Sequence, residues 1–277
     1  MKKILVPTDF SRDADHALDF ACGLSLKLKA EIVLHHSYVS PIYATDLPLA
    51  IPSDAELEKN SLDGLGDVRK RYLKKYPALK FNVHASAGYA EDEIPKSAIE
   101  SSADLIIMGT KGASGLREAL IGTITASVFE HSTCPVIAIP ELSTKKTIDR
   151  IVFATSYEEG DFGNIEQVID FARVLQAEII LLHITSGKYD RTFEFDAIEK
   201  FMESIREDSH FSKISFKLLD GTDVYSSINH YLEEVDADMV AMTIRHRPFM
   251  RKLFERSLTK RMAYHTRLPL IVFPGTV

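Results

Sequence analysis

The sequence predicts an α/β protein made of two tandem domains, each an open parallel sheet covered by helices. Three observations carry this prediction. Short apolar segments alternate with longer segments of helical periodicity along all 277 residues. The short segments are continuously hydrophobic rather than alternating, which suits strands buried on both faces. The chain also matches itself: Asp104-Leu-Ile-Ile-Met108 returns as Asp238-Met-Val-Ala-Met242, and Pro135-Val-Ile-Ala-Ile-Pro140 as Pro269-Leu-Ile-Val-Phe-Pro274, both at an offset of 134. Blocks 105–140 and 239–274 therefore align without a gap. Ala30-Glu-Ile-Val-Leu-His-His36 matches Ala177-Glu-Ile-Ile-Leu-Leu-His183, and Lys3-Ile-Leu-Val-Pro-Thr8 faces Arg150-Ile-Val-Phe-Ala-Thr155. Four matches in one order indicate a tandem duplication.

In the first half the apolar pattern predicts strands at 3–7, 31–36, 80–86, 104–108 and 135–139. Helical spacing predicts helices over 11–28, about 53–76, 90–102 and 122–132. Ser11 and Ser53 fit as N-caps, and Ser53-Asp-Ala-Glu56 has the form of a capping box. Residues 37–53 form the longest irregular stretch, where Pro41, Pro48 and Pro52 discourage helix. The second half gives strands near 150–154, 178–184, 212–217, 238–242 and 269–273. Alternating strands and helices imply right-handed crossovers and parallel sheets. The polar stretch Glu141-Leu-Ser-Thr-Lys-Lys146 reads as the linker, giving domains over 1–142 and 147–277.

Composition narrows the function. Hydrophobic residues at 45 % and charged residues at 26 % describe an ordinary globular chain, neither disordered nor fibrous. No run approaches the roughly 18 apolar residues of a membrane span. Ile4-Leu5-Val6 after Met1-Lys2-Lys3 is too short for a signal peptide, so a cytoplasmic location is expected, with no membrane partner. A net charge of -7 argues against nucleic acid as a partner. The two cysteines, Cys22 and Cys134, exclude a disulfide framework and read as packing residues. His35 and His36 end a buried strand and read as packing residues, not metal ligands; no metal site is expected.

In open α/β sheets ligands bind beyond the carboxyl ends of the strands. After 104–108 comes Gly109-Thr-Lys-Gly112, then nine residues, then Gly122-Thr-Ile-Thr125. Glycines there let backbone amides approach an anion, and Gly122-Thr123 opens a helix whose free amides and dipole favour phosphate. Lys111 and Arg117 add positive charge, and Asp9 in Pro7-Thr8-Asp9 faces the same crevice. The alternative is that these glycines serve tight turns only. Neither a Walker loop nor a Gly-x-Gly-x-x-Gly after the first strand is present. No Gly-x-Ser-x-Gly elbow supports nucleophilic hydrolysis.

With these motifs the sequence resembles the universal stress protein family in its tandem, two-domain form. The family's nucleotide-binding pattern Gly-x2-Gly-x9-Gly-Ser/Thr is filled by Gly109, Gly112, Gly122 and Thr123. Ile4-Leu-Val-Pro-Thr-Asp-Phe-Ser11, the strand ending at His36 and the closing Pro-Val-Ile strand are similar too, and the resemblance spans both copies. It implies a Rossmann-like fold and a non-enzymatic regulator that binds ATP, or AMP or ADP, with magnesium as an accompanying ion. It assigns Pro7, Thr8 and Asp9 to the adenosine end, Ser37 to the adenine ring, and Met108 and Gly109 to the ribose side. Gly112, Gly122, Thr123, Ile124 and Thr125 would surround the phosphates. No catalytic residue is implied; the competing functions are a slow ATP hydrolase or phosphoryl-transfer enzyme and a non-binding structural stress protein.

The second copy departs from this pattern. Gly109 becomes Thr243, Gly112 becomes His246 and Gly122 becomes Arg256; Asp9 faces Ser156 and Pro7 faces Ala154. Loss of the ATP site is expected there. Residues 245–267 carry eight Lys and Arg against the single acid Glu255, which reads either as a solvated face or as an anion or docking patch. The apolar edge strands 135–139 and 269–273 are expected to meet, making a pseudo-dimer of the two domains and leaving room for a further homodimer.

Overall fold

The computed structural model of the chain describes residues 1–40, 52–110, 122–145, 147–155, 162–185, 202–203, 205, 209–244, 258, 262 and 267–275. The chain divides into two compact units, Met1–Glu141 and Leu142–Val277. The first contains β1 (Lys3–Pro7), α1 (Arg12–Leu28), β2 (Glu31–Tyr38), α2 (Asp54–Lys75), β3 (Phe81–Ala87), α3 (Ala90–Ser101), β4 (Leu105–Gly109), α4 (Thr123–His131) and β5 (Val136–Ile139). Its strands lie in the order β3-β2-β1-β4-β5 and all pair in parallel. The order reverses between β1 and β4, where right-handed crossovers send α1 and α2 to one face and α3 and α4 to the other.

Local chemistry explains where the elements start. Ser11 caps α1 by accepting the Ala14 amide at 3.2 Å, and Asp13 and Asp15 lie in the positive first turn. Ser53 and Glu56 form the reciprocal capping box of α2: the Glu56 amide donates to Ser53 Oγ, and the Ser53 amide donates to Glu56 Oε2 at 2.8 Å. The helices are tied across their exposed edges. The Tyr72 hydroxyl donates to the Asp15 carbonyl, and Arg71 pairs with the Asp15 carboxylate at 2.5 Å. In the core Ile4, Leu5, Leu105, Ile106 and Ile107 are fully buried, each contributing roughly 1.5–3 kcal/mol relative to exposure.

The second unit repeats the plan: β6 (Arg150–Ala154), α5 (Phe162–Leu175), β7 (Glu178–Thr185), β8 (Ile214–Asp220), α6 (Val224–Glu234), β9 (Met239–Thr243) and β10 (Leu270–Phe273). Its strands run in the order β8-β7-β6-β9-β10, again parallel. The same carboxylate clamp starts both sheets. Asp104 Oδ2 accepts the amides of Lys2 and Lys3, and Asp238 Oδ2 accepts those of Asp149 and Arg150. Burial opposes ionisation of both carboxyls, but these amide bonds, with Lys145 beside Asp238, hold them below the usual range.

Six strands run past their sequence-predicted ends: β2 to Tyr38, β3 to Ala87, β4 to Gly109, β7 to Thr185, β8 to Asp220 and β9 to Thr243. Apart from Leu218 and Leu219 in β8, the extra residues are polar or small, and the ladder holds them by backbone pairing, as in Ser37 opposite Ser86. Among the described residues no helix is long and apolar enough to cross a membrane.

Candidate functional site

The reversal of strand order brings the carboxyl ends of β1 and β4 side by side, so the loops leaving them diverge and open a crevice. Gly109 ends β4 and is buried. A Cβ built on it would lie 3.1 Å from the Asp13 carbonyl oxygen in the first turn of α1. This glycine therefore lets α1 close against the end of β4. Its own carbonyl accepts the Thr125 hydroxyl at 3.0 Å, and Thr110 O accepts the Gly122 amide at 2.5 Å. These two bonds fix the start of α4 at the mouth of the crevice.

Gly122 is the N-cap of α4, at φ -73 and ψ 159, with no side-chain hydrogen bond capping the helix. That backbone conformation is open to any residue. Among the described residues, a Cβ there would meet only Thr110 O, at an ordinary 3.6 Å. Neither strain nor packing among the described residues requires glycine at this position, in contrast to Gly109. Thr123 is exposed, Ile124 half-buried and Thr125 buried, its hydroxyl proton engaged by Gly109. Thr125 thus anchors the helix start, and the hydroxyl at the surface belongs to Thr123.

On the other side, Pro7 and Thr8 are buried and Asp9 is exposed. Thr8 Oγ1 accepts the Phe10 amide at 3.0 Å, and Asp9 Oδ1 accepts the Ser11 amide at 3.0 Å, so both side chains shape the turn into α1. Ser37 lies half-buried near the end of β2, and Met108 is buried in β4. The structure brings Asp9, the start of α1, Gly109, Gly122 and Thr123 to the same end of the sheet. Gly112, Lys111 and Arg117 lie outside the described residues, as do His246, Arg256 and nearly all of the basic stretch 245–267.

Sequence reasoning set His36 aside as a packing residue. Its Nδ1–H donates to the Thr8 carbonyl at 2.7 Å, and His183 makes the same bond to Thr155 O at 2.9 Å in the second unit. The signal was available: both histidines fall at the same place in the repeat. His35 points the opposite way, fully buried, with Nε2 against Ser86 Oγ at 2.9 Å. Burial first, and then the charges of His84 and His36, push its pKa down to about 3, so it is neutral. Among the described residues no group of three or more His, Cys, Asp or Glu is arranged to hold a metal.

In the second unit the end of β9 is lined differently. Thr243 stands at the Gly109 position, and its Oγ1 accepts the Asn164 side-chain amide at 3.1 Å. Asn164, 1 % exposed, also donates to the Pro274 carbonyl at 3.3 Å. At the offset of 147 that relates the first parts of the repeat, Asn164 replaces Ala17. Sequence reasoning missed this residue because its significance depends on the contact with Thr243.

The sequence model of the universal stress protein family matches residues 1–140. The chain belongs to this family. Universal stress protein YxiE of Bacillus subtilis is 30 % identical over 147 residues, covering 50 % of this chain and 97 % of that protein. A universal stress protein of Methanocaldococcus jannaschii is 29 % identical over 145 residues, covering 50 % and 81 %. The crystal structure of a universal stress protein from Archaeoglobus fulgidus superposes with a TM-score of 0.75, at 20 % identity, over 99 % of this chain and 96 % of that one. The universal stress protein fold thus extends over both units.

Proposed function

We propose that the first unit binds an adenine nucleotide, ATP or AMP, in the crevice beyond β1 and β4, and that the chain acts as a nucleotide-responsive regulator of the stress response. The observation that carries this reading is Gly122. It opens a nine-residue helix with no side-chain cap hydrogen bond, at a position where its conformation is open to any residue and nothing among the described residues packs close enough to ask for glycine. A phosphate facing that helix start would take the first-turn amides and the positive end of the dipole, and a side chain would obstruct it. Thr123 adds a hydroxyl, and Gly112 completes the pattern. Asp9, at the nucleoside end, suits ribose hydroxyls or an amine as donors, and it is given no general-base role toward a distant γ-phosphate.

The second unit has no nucleotide site on this reading. The end of β9 is occupied by the Asn164–Thr243 pair, and His246 and Arg256 stand in place of the other two glycines. Calorimetry with ATP and AMP is expected to give one site per chain, and a phosphate-release assay no turnover. Two equivalent sites, or sustained hydrolysis, would overturn the assignment. Gly112→Val combined with Gly122→Val is expected to abolish binding, whereas the same double change at His246 and Arg256 leaves affinity unchanged.

A further inference from the structure

We propose that Phe10 is a positioning residue for Asp9: its ring, in contact with His36 and with its tip over Gly64, holds the turn from β1 into α1 so that the Asp9 carboxylate meets the nucleoside part of the ligand. This deepens the nucleotide-binding reading and rests on it.

Phe10 has φ 62, in the left-handed region that bulky residues rarely occupy, at a cost on the order of 1 kcal/mol or more. Glycine would adopt the same φ without penalty, so the side chain must account for its presence. The surroundings over-determine the conformation. The Phe10 amide is fixed by Thr8 Oγ1 and the Ser11 amide by Asp9 Oδ1, while Ser11 Oγ is committed to capping α1. The Phe10 ring centroid lies 4.5 Å from that of His36, whose Nδ1–H holds the Thr8 carbonyl. At the tip of the ring lies α2, where a Cβ on Gly64 would stand 3.0 Å from Phe10 Cζ. Glycine inside a helix costs roughly 0.5–1 kcal/mol relative to alanine, and here it makes room for the ring.

Burial alone does not explain this expense, because Phe10 remains 42 % exposed. What the ring does control is rotation about the Phe10 N–Cα bond. With α1 locked by its cap, that rotation swings Asp9 relative to the helix, whose first turn packs on Gly109.

The test is calorimetry with ATP on the full chain, using Phe10→Gly, Asp9→Asn and the double variant, with urea unfolding of each. Phe10→Gly keeps the φ but releases the turn. Asp9→Asn is expected to lower affinity roughly tenfold or more, the loss of a charge-assisted bond, and Phe10→Gly about threefold to tenfold. The double variant should bind no more weakly than Asp9→Asn alone, although Phe10→Gly lowers stability equally in both backgrounds. Gly64→Ala, which displaces the ring without removing it, should reproduce the affinity loss of Phe10→Gly and its dependence on Asp9. Additive losses would make Phe10 a direct ligand contact and overturn the positioning role, as would unchanged affinity in both Phe10→Gly and Gly64→Ala. If the wild-type chain does not bind ATP, the nucleotide reading itself fails, and this inference with it.

Discussion

Gly122→Ser separates ligand binding from helix capping, because the two respond in opposite directions. The backbone at Gly122, φ -73 and ψ 159, accepts serine without strain, and its Cβ meets Thr110 O at 3.6 Å. Serine is a strong N-cap, and its Oγ would accept a first-turn amide that no described side chain now takes. The gain over glycine is a few tenths of a kcal/mol. The same oxygen would sit over the amides that a phosphate needs and repel an anion. Losing one charge-assisted hydrogen bond costs about 1.5–3 kcal/mol, or about ten- to a hundredfold in affinity. Urea unfolding should therefore find Gly122→Ser as stable as wild type or slightly more so, while calorimetry finds ATP binding much weakened. Unchanged affinity would refute the placement of phosphate at α4. Parallel loss of stability and affinity would show that the glycine serves the fold instead.

Three further outcomes follow from the geometry. Gly109→Ala forces a Cβ to 3.1 Å from the Asp13 carbonyl and should cost roughly 1–3 kcal/mol in urea unfolding as α1 shifts. Asn164→Ala strips the partner from Thr243 and from Pro274 O and should cost about 1–3 kcal/mol, leaving the ATP affinity of the first unit unchanged by calorimetry. For acid stability, His35 binds its proton far more weakly when folded, with a pKa near 3, than when unfolded, at about 6.5. The unfolded state therefore gains protons first, and stability should fall as pH drops from 6.5 toward 3, by about 2 kcal/mol at pH 5. His35→Leu should remove that slope, and an unchanged slope would count against it.

Much of the fold was legible because the signals were local. Ser11 and Ser53 cap the helices that their spacing announced, and fully buried strands such as Leu105–Gly109 carry their own apolar signature. The strand ends were less legible where polar residues are held by backbone pairing alone, as at Ser37 and Tyr38. At the site, the sequence pattern was enough to locate a helix start at Gly122-Thr123. It was not enough to separate the two glycines by role. Gly109 is explained by a carbonyl from α1, 96 positions away in sequence, whereas Gly122 has no such explanation among the described residues. The same limit hid Asn164, an ordinary helix residue until Thr243 is placed opposite it.

The two copies show which parts of the frame are separable from the site. The carboxylate clamp at Asp104 recurs at Asp238, the bond of His36 to Thr8 O recurs at His183 and Thr155, and the Thr8 amide bond to His35 O recurs from Thr155 to Leu182 O. All of these stitch β1 or β6 to its neighbours. The difference described by the structure lies on the other side of that strand, where Gly109 and Ala17 give way to Thr243 and Asn164. The buried Asn164 amide donates to both Thr243 Oγ1 and the Pro274 carbonyl, so the replacement leaves that donor paired. The second unit has therefore changed the lining at the end of β9 while keeping the frame around β6. On the nucleotide reading this makes the loss hard to reverse piecemeal. Thr243→Gly alone would leave the Asn164 amide one acceptor short, and Asn164→Ala alone would take the donor from the Thr243 hydroxyl oxygen, so each single step costs stability before any ligand can repay it.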